Sequence, residues 1–156
     1  MEKTNAMRLL DNAGLSYAGH YYEDSDGKID GVSVAAKIAM PPELVYKTLV
    51  AMGASRHYYV FMIPVAAELD LKKAAKAAGE KSIELIAVKD ILSVTGYIRG
   101  GCSPLGMKKA YPTFIHEEAM LYEDIVFSAG KIGVQIQLNA DALAALIGAV
   151  YGDLIK

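Results

Sequence analysis

The segment Gly100-Gly101-Cys102-Ser103-Pro104-Leu105-Gly106 holds three glycines, a proline and two small polar residues. That composition continues neither a helix nor a strand. Glycine reaches backbone angles that other residues resist, and it leaves amide N–H groups uncovered. Such a bend can aim several donors at one point, where they hold a phosphate or a carbonyl oxygen that turns negative during acyl transfer. The same composition also makes a plain tight connection between strands. A second candidate is Lys47, within Val45-Tyr46-Lys47-Thr48-Leu49. Period-two alternation puts Val45, Lys47 and Leu49 on one face of a strand. A lysine in an apolar row either snorkels from an outer face or points a cation into a cleft, toward a phosphate or an ester. The residues alone leave these two readings level.

Other chemistry-bearing residues carry less. Cys102 is the single cysteine. A thiol beside a glycine bend could be a nucleophile assisted by histidine, but no base is paired with it locally, and a packed thiol is the preferred reading. His20, His57 and His116 are the only histidines, and none stands at metal-ligand spacing. No HExxH or CxxC pattern, Walker lysine loop or GxGxxG after a strand occurs. The expectation is therefore no metal and no cofactor. Lys72, Lys73 and Lys76 fall on the solvated face of one helix.

The elements that must position these residues are legible in outline. A helix runs from Thr4 to Asn12, with Ala6, Leu9, Leu10 and Ala13 on one face and Gly14 as terminator. Leu15–Tyr22 reads as a strand, and Glu23–Gly31 as a polar turn segment. Ser33 caps a short helix through Ile38, and Pro41-Pro42 breaks the chain. Val45–Met52 and Tyr58–Val65 are strands joined by Gly53-Ala54-Ser55-Arg56. Asp70 caps a helix over Leu71–Ala78 that Gly79 closes. Val88–Ser93 is a short helix before the glycine bend. A strand follows near Tyr111–Ile115, then a helical segment over Glu117–Tyr122. Asp124–Ser128 and Gly133–Leu138 are paired strands. Asn139 caps a last helix that runs to about Tyr151. Neither hairpins alone nor strict strand–helix alternation fits this order. The expected fold class is α+β, a mixed, curved sheet with helices packed around it.

Bulk properties narrow the function. The 156 residues make one domain, residues 1–156, and an apolar share of 53% supplies one core. No run of about 18 apolar residues suggests a membrane span. The N-terminus, Met1-Glu2-Lys3-Thr4-Asn5, lacks the basic patch and apolar run of a signal peptide. With one cysteine, no internal disulfide forms, which fits a reducing cytoplasm. A net charge of −2 argues against a protein that grips long duplex nucleic acid through many phosphates. Any nucleic-acid contact is expected to be small and local, through Lys47, Arg99, Lys108, Lys109 or Lys131, although composition alone favours a scattered set of surface charges.

Several segments in order resemble one family. They are Val45-Tyr46-Lys47-Thr48-Leu49, Pro64-Val65-Ala66, Leu69-Asp70-Leu71-Lys72-Lys73, Thr95-Gly96-Tyr97, the bend from Gly100 to Gly106 with Lys108-Lys109, and Ser128-Ala129-Gly130-Lys131. This order is similar to the YbaK/EbsC family, related to the editing domain inserted in bacterial prolyl-tRNA synthetases. The likeness spans nearly the whole chain. It implies a barrel-like sheet ringed by helices, and removal of a wrong amino acid from tRNA without metal. The implied substrate is the aminoacylated 3′ end of a tRNA, most simply Cys-tRNA(Pro), with prolyl-tRNA synthetase as an expected partner. By that resemblance Lys47 places the tRNA end, while Gly100 and Gly101 present backbone groups to the aminoacyl carbonyl. Tyr22, Thr48, Ser128 and Gln135 line the pocket, and Ser103 of the bend belongs to the same expected contact set. An aminoacyl ester is already activated, so orientation and oxyanion stabilisation supply much of the acceleration. In cysteine-specific members the substrate thiol attacks its own ester and leaves as a thiolactone; in alanine-specific relatives a positioned water attacks. Cysteine-specific relatives carry an acid where this chain has Gln135, which can hydrogen-bond but cannot act as a base at neutral pH. They also carry an aromatic residue near Ile29-Asp30. The alternatives are an alanine-specific deacylase of the same fold and a non-catalytic module that binds a tRNA end or nucleotide and docks on a synthetase.

Overall fold

The residues of Val60-Phe61-Met62-Ile63-Pro64 are all buried, and an unbroken apolar run of that kind belongs to a strand covered on both faces. In the computed structural model, which describes residues 2–156, this run lies in β3 (Tyr58–Pro64). β3 pairs antiparallel with β2 (Tyr46–Gly53) and parallel with β5 (Thr113–His116). β4 (Ile83–Leu85) and β8 (Val150–Gly152) complete a five-stranded sheet in the order β4-β2-β3-β5-β8. A second sheet is antiparallel and three-stranded, in the order β1-β7-β6, from β1 (Ala18–Tyr21), β6 (Asp124–Ser128) and β7 (Val134–Asn139).

The two sheets meet through one parallel bridge, Val45 to Val126. The barrel-like single sheet expected from the resemblance is therefore two sheets joined at a corner, within a mixed α+β fold. Beyond the bridge, the strands on either side separate, and the gap becomes the cleft described below.

Helices cover both sides of the larger sheet. α1 (Asn5–Asn12) and α5 (Ala140–Ile147) bring Met7, Leu10 and Leu143 onto a core with Met62, Ile115 and Ile136. α3 (Leu71–Ala78) lays Ala74 and Ala75 against Ala51, Phe61 and Ile63 on the opposite face. Phe61 stacks on Phe114 with ring centroids 5.4 Å apart. Burying a side chain of that size contributes on the order of 2–3 kcal/mol. Caps set the helix starts: Thr4 Oγ1 accepts from the Met7 N–H, Asp70 from Lys72 and Lys73, and Asn139 from Ala142.

Several expectations need correction. The short helix α2 (Gly31–Lys37) starts one turn earlier, because Asp30 rather than Ser33 is the cap; its carboxylate accepts the Ser33 N–H. The last helix stops at Ile147, where Gly148 takes a left-handed backbone (φ +67°), and Val150 turns into β8. β4 was not anticipated either. Both missed strands are three residues long and form only because a longer strand lies beside them. The segment after Val88 is a 3₁₀ turn followed by α4 (Ile91–Thr95).

Candidate active site

The site begins with an uncovered strand edge. Val65 donates its N–H to the Val45 carbonyl at 2.9 Å, and Gly53 donates to His57 at 2.9 Å. Antiparallel pairing alternates, so the odd-numbered residues of β2 bond β3, and the even-numbered ones point N–H and C=O the other way. At Val50 that outer edge is taken by the Ile86 N–H at 3.1 Å. At Val45 it meets the bridge to Val126. Thr48 lies between, and the register places no second strand against it.

A cleft of ≈ 730 Å³ opens at this edge. Lys47 and Thr48 border it from β2, Ser128 and Gln135 from the smaller sheet, and Arg99, Gly100 and Cys102 from the glycine bend. Lys47 and Thr48 project from opposite faces of β2, as alternation requires, and the cleft reaches both because it wraps the free edge. Gly31, Val32, Leu85, Val88 and Ile91 give it apolar walls. Gly100 has φ +86°, a region other residues enter at a cost. A Cβ added there would stand 2.8 Å from Ile29 Cδ1, the movable end of that side chain, so glycine is needed chiefly for the angle. Gly101 donates its N–H to the Ile98 carbonyl at 3.0 Å, whereas the Gly100 and Cys102 amides make no such turn bond among the described residues.

Burial depresses the pKa of the Lys47 ammonium below its usual value, and Glu68 only partly offsets this. Burial likewise pushes the Cys102 thiol up to about 11. The thiol is therefore protonated at neutral pH and is a weak nucleophile. Thr48 Oγ1 is closed off and has no hydrogen-bond partner among the described residues. Asp30 is the one carboxylate on the wall; its hydrogen bonds to Ser33 hold its pKa below the usual range. A depressed carboxylate that caps a helix makes a poor general base.

Lys47, Thr48, Gly100, Ser128 and Gln135 are thus brought together in one cleft. Three other expected residues are not on its wall. Gly101 has its amide committed to Ile98. Ser103 is fully buried, and its hydroxyl accepts the Leu105 N–H, which shapes the bend from inside. Tyr22 stands behind the wall, with its hydroxyl buried and the Lys37 ammonium 5.7 Å from its ring centre. The histidines are elsewhere: His20 bonds Gln137 at 2.7 Å, His57 bonds Ser55 at 2.8 Å, and His116 accepts the Leu154 N–H. The Nε2 of His116 lies 3.1 Å from Glu118 without hydrogen-bond geometry, so we read it as a proximity and not a bond. No group of three His, Cys, Asp or Glu side chains poised for a metal occurs among the described residues. Arg99 was expected only as one of several local basic residues and Ile29-Asp30 only as a point of departure from the family, while Gly27, Gly31 and Val32 were not expected at the cleft. Arg99's place beside the glycine bend was the available signal, whereas the wall residues are drawn in only by tertiary packing.

Comparison with known proteins bears on the family and the fold. The sequence model of the aminoacyl-tRNA editing domain matches residues 29–146, a span that includes every wall residue named above except Gly27. EbsC of Enterococcus faecalis, a candidate Cys-tRNA(Pro)/Cys-tRNA(Cys) deacylase, is 42% identical over 153 residues, covering 98% of this chain and 93% of its own. Among solved structures, a candidate trans-editing enzyme for prolyl-tRNA synthetase superposes with a TM-score of 0.82 at 22% identity, covering 99% of each chain. A hypothetical protein, APE2540, gives 0.87 at 17% identity, covering 96% of this chain and 97% of its own. No helix among the described residues is long and apolar enough to cross a membrane. On the extent of the domain match and the identity to EbsC, the chain belongs to the aminoacyl-tRNA editing domain family.

Proposed function

We propose that this protein is a trans-editing deacylase that cleaves the ester of a mischarged tRNA, with Cys-tRNA(Pro) as its substrate. The reading rests on one observation above all: a cation, free backbone donors and small polar side chains border a single cleft whose wall offers no competent base. Such a wall suits an ester that is activated already and needs to be held, not attacked by the protein.

Lys47 and Arg99 supply positive charge for the phosphate and ribose of the tRNA end. The Gly100 N–H faces the aminoacyl carbonyl and stabilises the oxygen as it becomes negative. Thr48, Ser128 and Gln135 surround the amino-acid side chain. Water or the substrate's own thiol adds to the carbonyl, the bond to the ribose oxygen breaks, and that oxygen takes up a proton. Water attack releases a free amino acid; thiol attack releases a thiolactone. Gln135 supports a second reading, alanyl-tRNA(Pro), because an amide contributes hydrogen bonds without charge beside a small substrate.

The test is to incubate the protein with Cys-, Ala- and Ser-charged tRNA(Pro) and follow loss of the ester. Release from the cysteinyl form alone is the expected result. Release from the alanyl form alone moves the substrate to alanine. Persistence of all three esters, with the tRNA end still bound, leaves a binding module and ends the enzymatic reading. Prolyl-tRNA synthetase added to the same reactions tests the partnership through a faster turnover.

A further inference from the structure

One wall of the cleft has no regular structure of its own. Between β1 and α2 the chain runs through Glu23–Asp30 as turns and loop, and it brings Gly27, Ile29 and Asp30 to the cleft. Its internal hydrogen bonds are sparse: Gly27 N–H to the Asp24 carbonyl and Lys28 N–H to the Asp26 carboxylate, each at 3.0 Å. Loops held so lightly open readily unless something ties them down.

The tie is Lys37, in the last turn of α2. Its Nζ donates to the Glu23 carbonyl at 2.7 Å, to Asp26 Oδ1 at 2.7 Å and to the Lys28 carbonyl at 2.9 Å. An ammonium has three N–H donors, and all three converge on this loop. The same charge sits over the Tyr22 ring where the loop begins. The side chain is only 21% exposed, unlike the other lysines in ion pairs here, which are 39–64% exposed. Downstream, Ile29 seats against the bare face of Gly100. A continuous path therefore links Lys37, the loop, Ile29 and the glycine bend.

We propose that Lys37 is a positioning residue: it straps the 23–28 loop into the shape that completes the cleft, and so sets how tightly the substrate is held. The role deepens the deacylase reading and rests on it for its kinetic consequence. Without the strap, part of each substrate's binding free energy goes into ordering the wall, and apparent affinity falls by the fraction of molecules with the loop in place. Once the substrate is bound, the wall is ordered and the chemical step is unchanged.

Lys37→Met keeps the apolar stem and removes the three donors. In the substrate-free protein, amide exchange at Gly27 and Lys28 should rise roughly tenfold or more, with the amides of β2 and β3 unaffected. With a cysteinylated tRNA(Pro), KM should rise roughly tenfold while kcat stays within about twofold. Asp26→Asn removes the charge from one leg of the strap, leaving an amide oxygen as the weaker acceptor, without touching α2. It should show the same pattern more weakly, and added to Lys37→Met it should do nothing further. It also serves if Lys37→Met fails to fold. Unchanged exchange at Gly27 and Lys28 overturns the proposal, as does a fall in kcat with KM preserved. Absence of deacylation by the unaltered protein strikes the proposed activity instead, and the exchange arm alone then decides the strap.

Discussion

The β2–β3 hairpin carries reactive residue types at both ends, and the two ends have opposite bonding. At its tip, Ser55 Oγ bonds His57 Nδ1 at 2.8 Å and donates to Glu80 Oε2, which also accepts from the Tyr59 hydroxyl. Glu80 Oε1 takes the Ser55 N–H as well. Serine, histidine and glutamate are the members of a hydrolytic triad, but here the serine sits between the other two, and the acid does not orient the histidine. The serine hydroxyl and both carboxylate oxygens are spent on their neighbours. At the other end, Lys47 makes no ion pair among the described residues and Thr48 Oγ1 has no partner. Buried polar groups are normally satisfied, so a shortfall needs a reason. What separates the proposed site from a structural knot is thus unspent bonding capacity in a concavity, not the residue types present.

Substitutions can break or sharpen that contrast. The largest effect is expected from Lys47→Ala, which should cut kcat/KM for deacylation by ~100-fold with little change in Tm, since it removes charge stabilisation and not core packing. Unchanged turnover removes Lys47 from the site. Its depressed pKa adds a pH signature. Lys47 sheds its proton at a lower pH than an ordinary lysine, so turnover above the uncatalysed background should decline on the alkaline side before the usual lysine range. Lys47→Arg should extend that limb upward. The sign for stability is the reverse: the folded chain binds fewer protons than the unfolded one, so the destabilisation caused by the buried charge is relieved as pH rises through the lowered value.

A middle effect is expected at Thr48. Thr48→Val keeps the shape and deletes an unpartnered hydroxyl, so stability should rise by about 1 kcal/mol in denaturant unfolding, while kcat/KM falls roughly tenfold. Loss of stability would mean that the hydroxyl is satisfied in the free protein. The smallest effect on turnover is expected at the hairpin tip. Glu80→Ala should lower Tm slightly, through loss of its bonds to Ser55 and Tyr59, and leave deacylation within about twofold. A large loss of activity there would erase the distinction between the two ends.

Legibility in the sequence followed how local each determinant is. Asp70, Gly79 and Asn139 announce helix ends because capping involves residues within one turn. Ser33 misled because Asp30, three residues earlier, competes for the same role and wins by accepting the Ser33 N–H. β4 and β8 are too short for a pattern of alternation and exist through pairing with β2 and β5. At the site, Lys47 and the glycine bend stood out as an apolar row interrupted by charge and a run that cannot be regular structure. Ser103 and Gly101 belong to that same run, and nothing local distinguishes their inward-turned groups from those of Gly100.

By itself, the order of residues determined the caps at Asp70 and Asn139, the strand β3, the bend at Gly100 and the cation at Lys47, since each depends on neighbours a few positions away. Only the tertiary structure decided that two sheets part after the Val45–Val126 bridge and leave Thr48's edge bare. It alone decided that Lys37 reaches back to the 23–28 loop, and that the serine at the hairpin tip is held between the histidine and the glutamate. Those outcomes depend on which distant groups meet, and a polar group is free or spent only once the whole chain has folded around it.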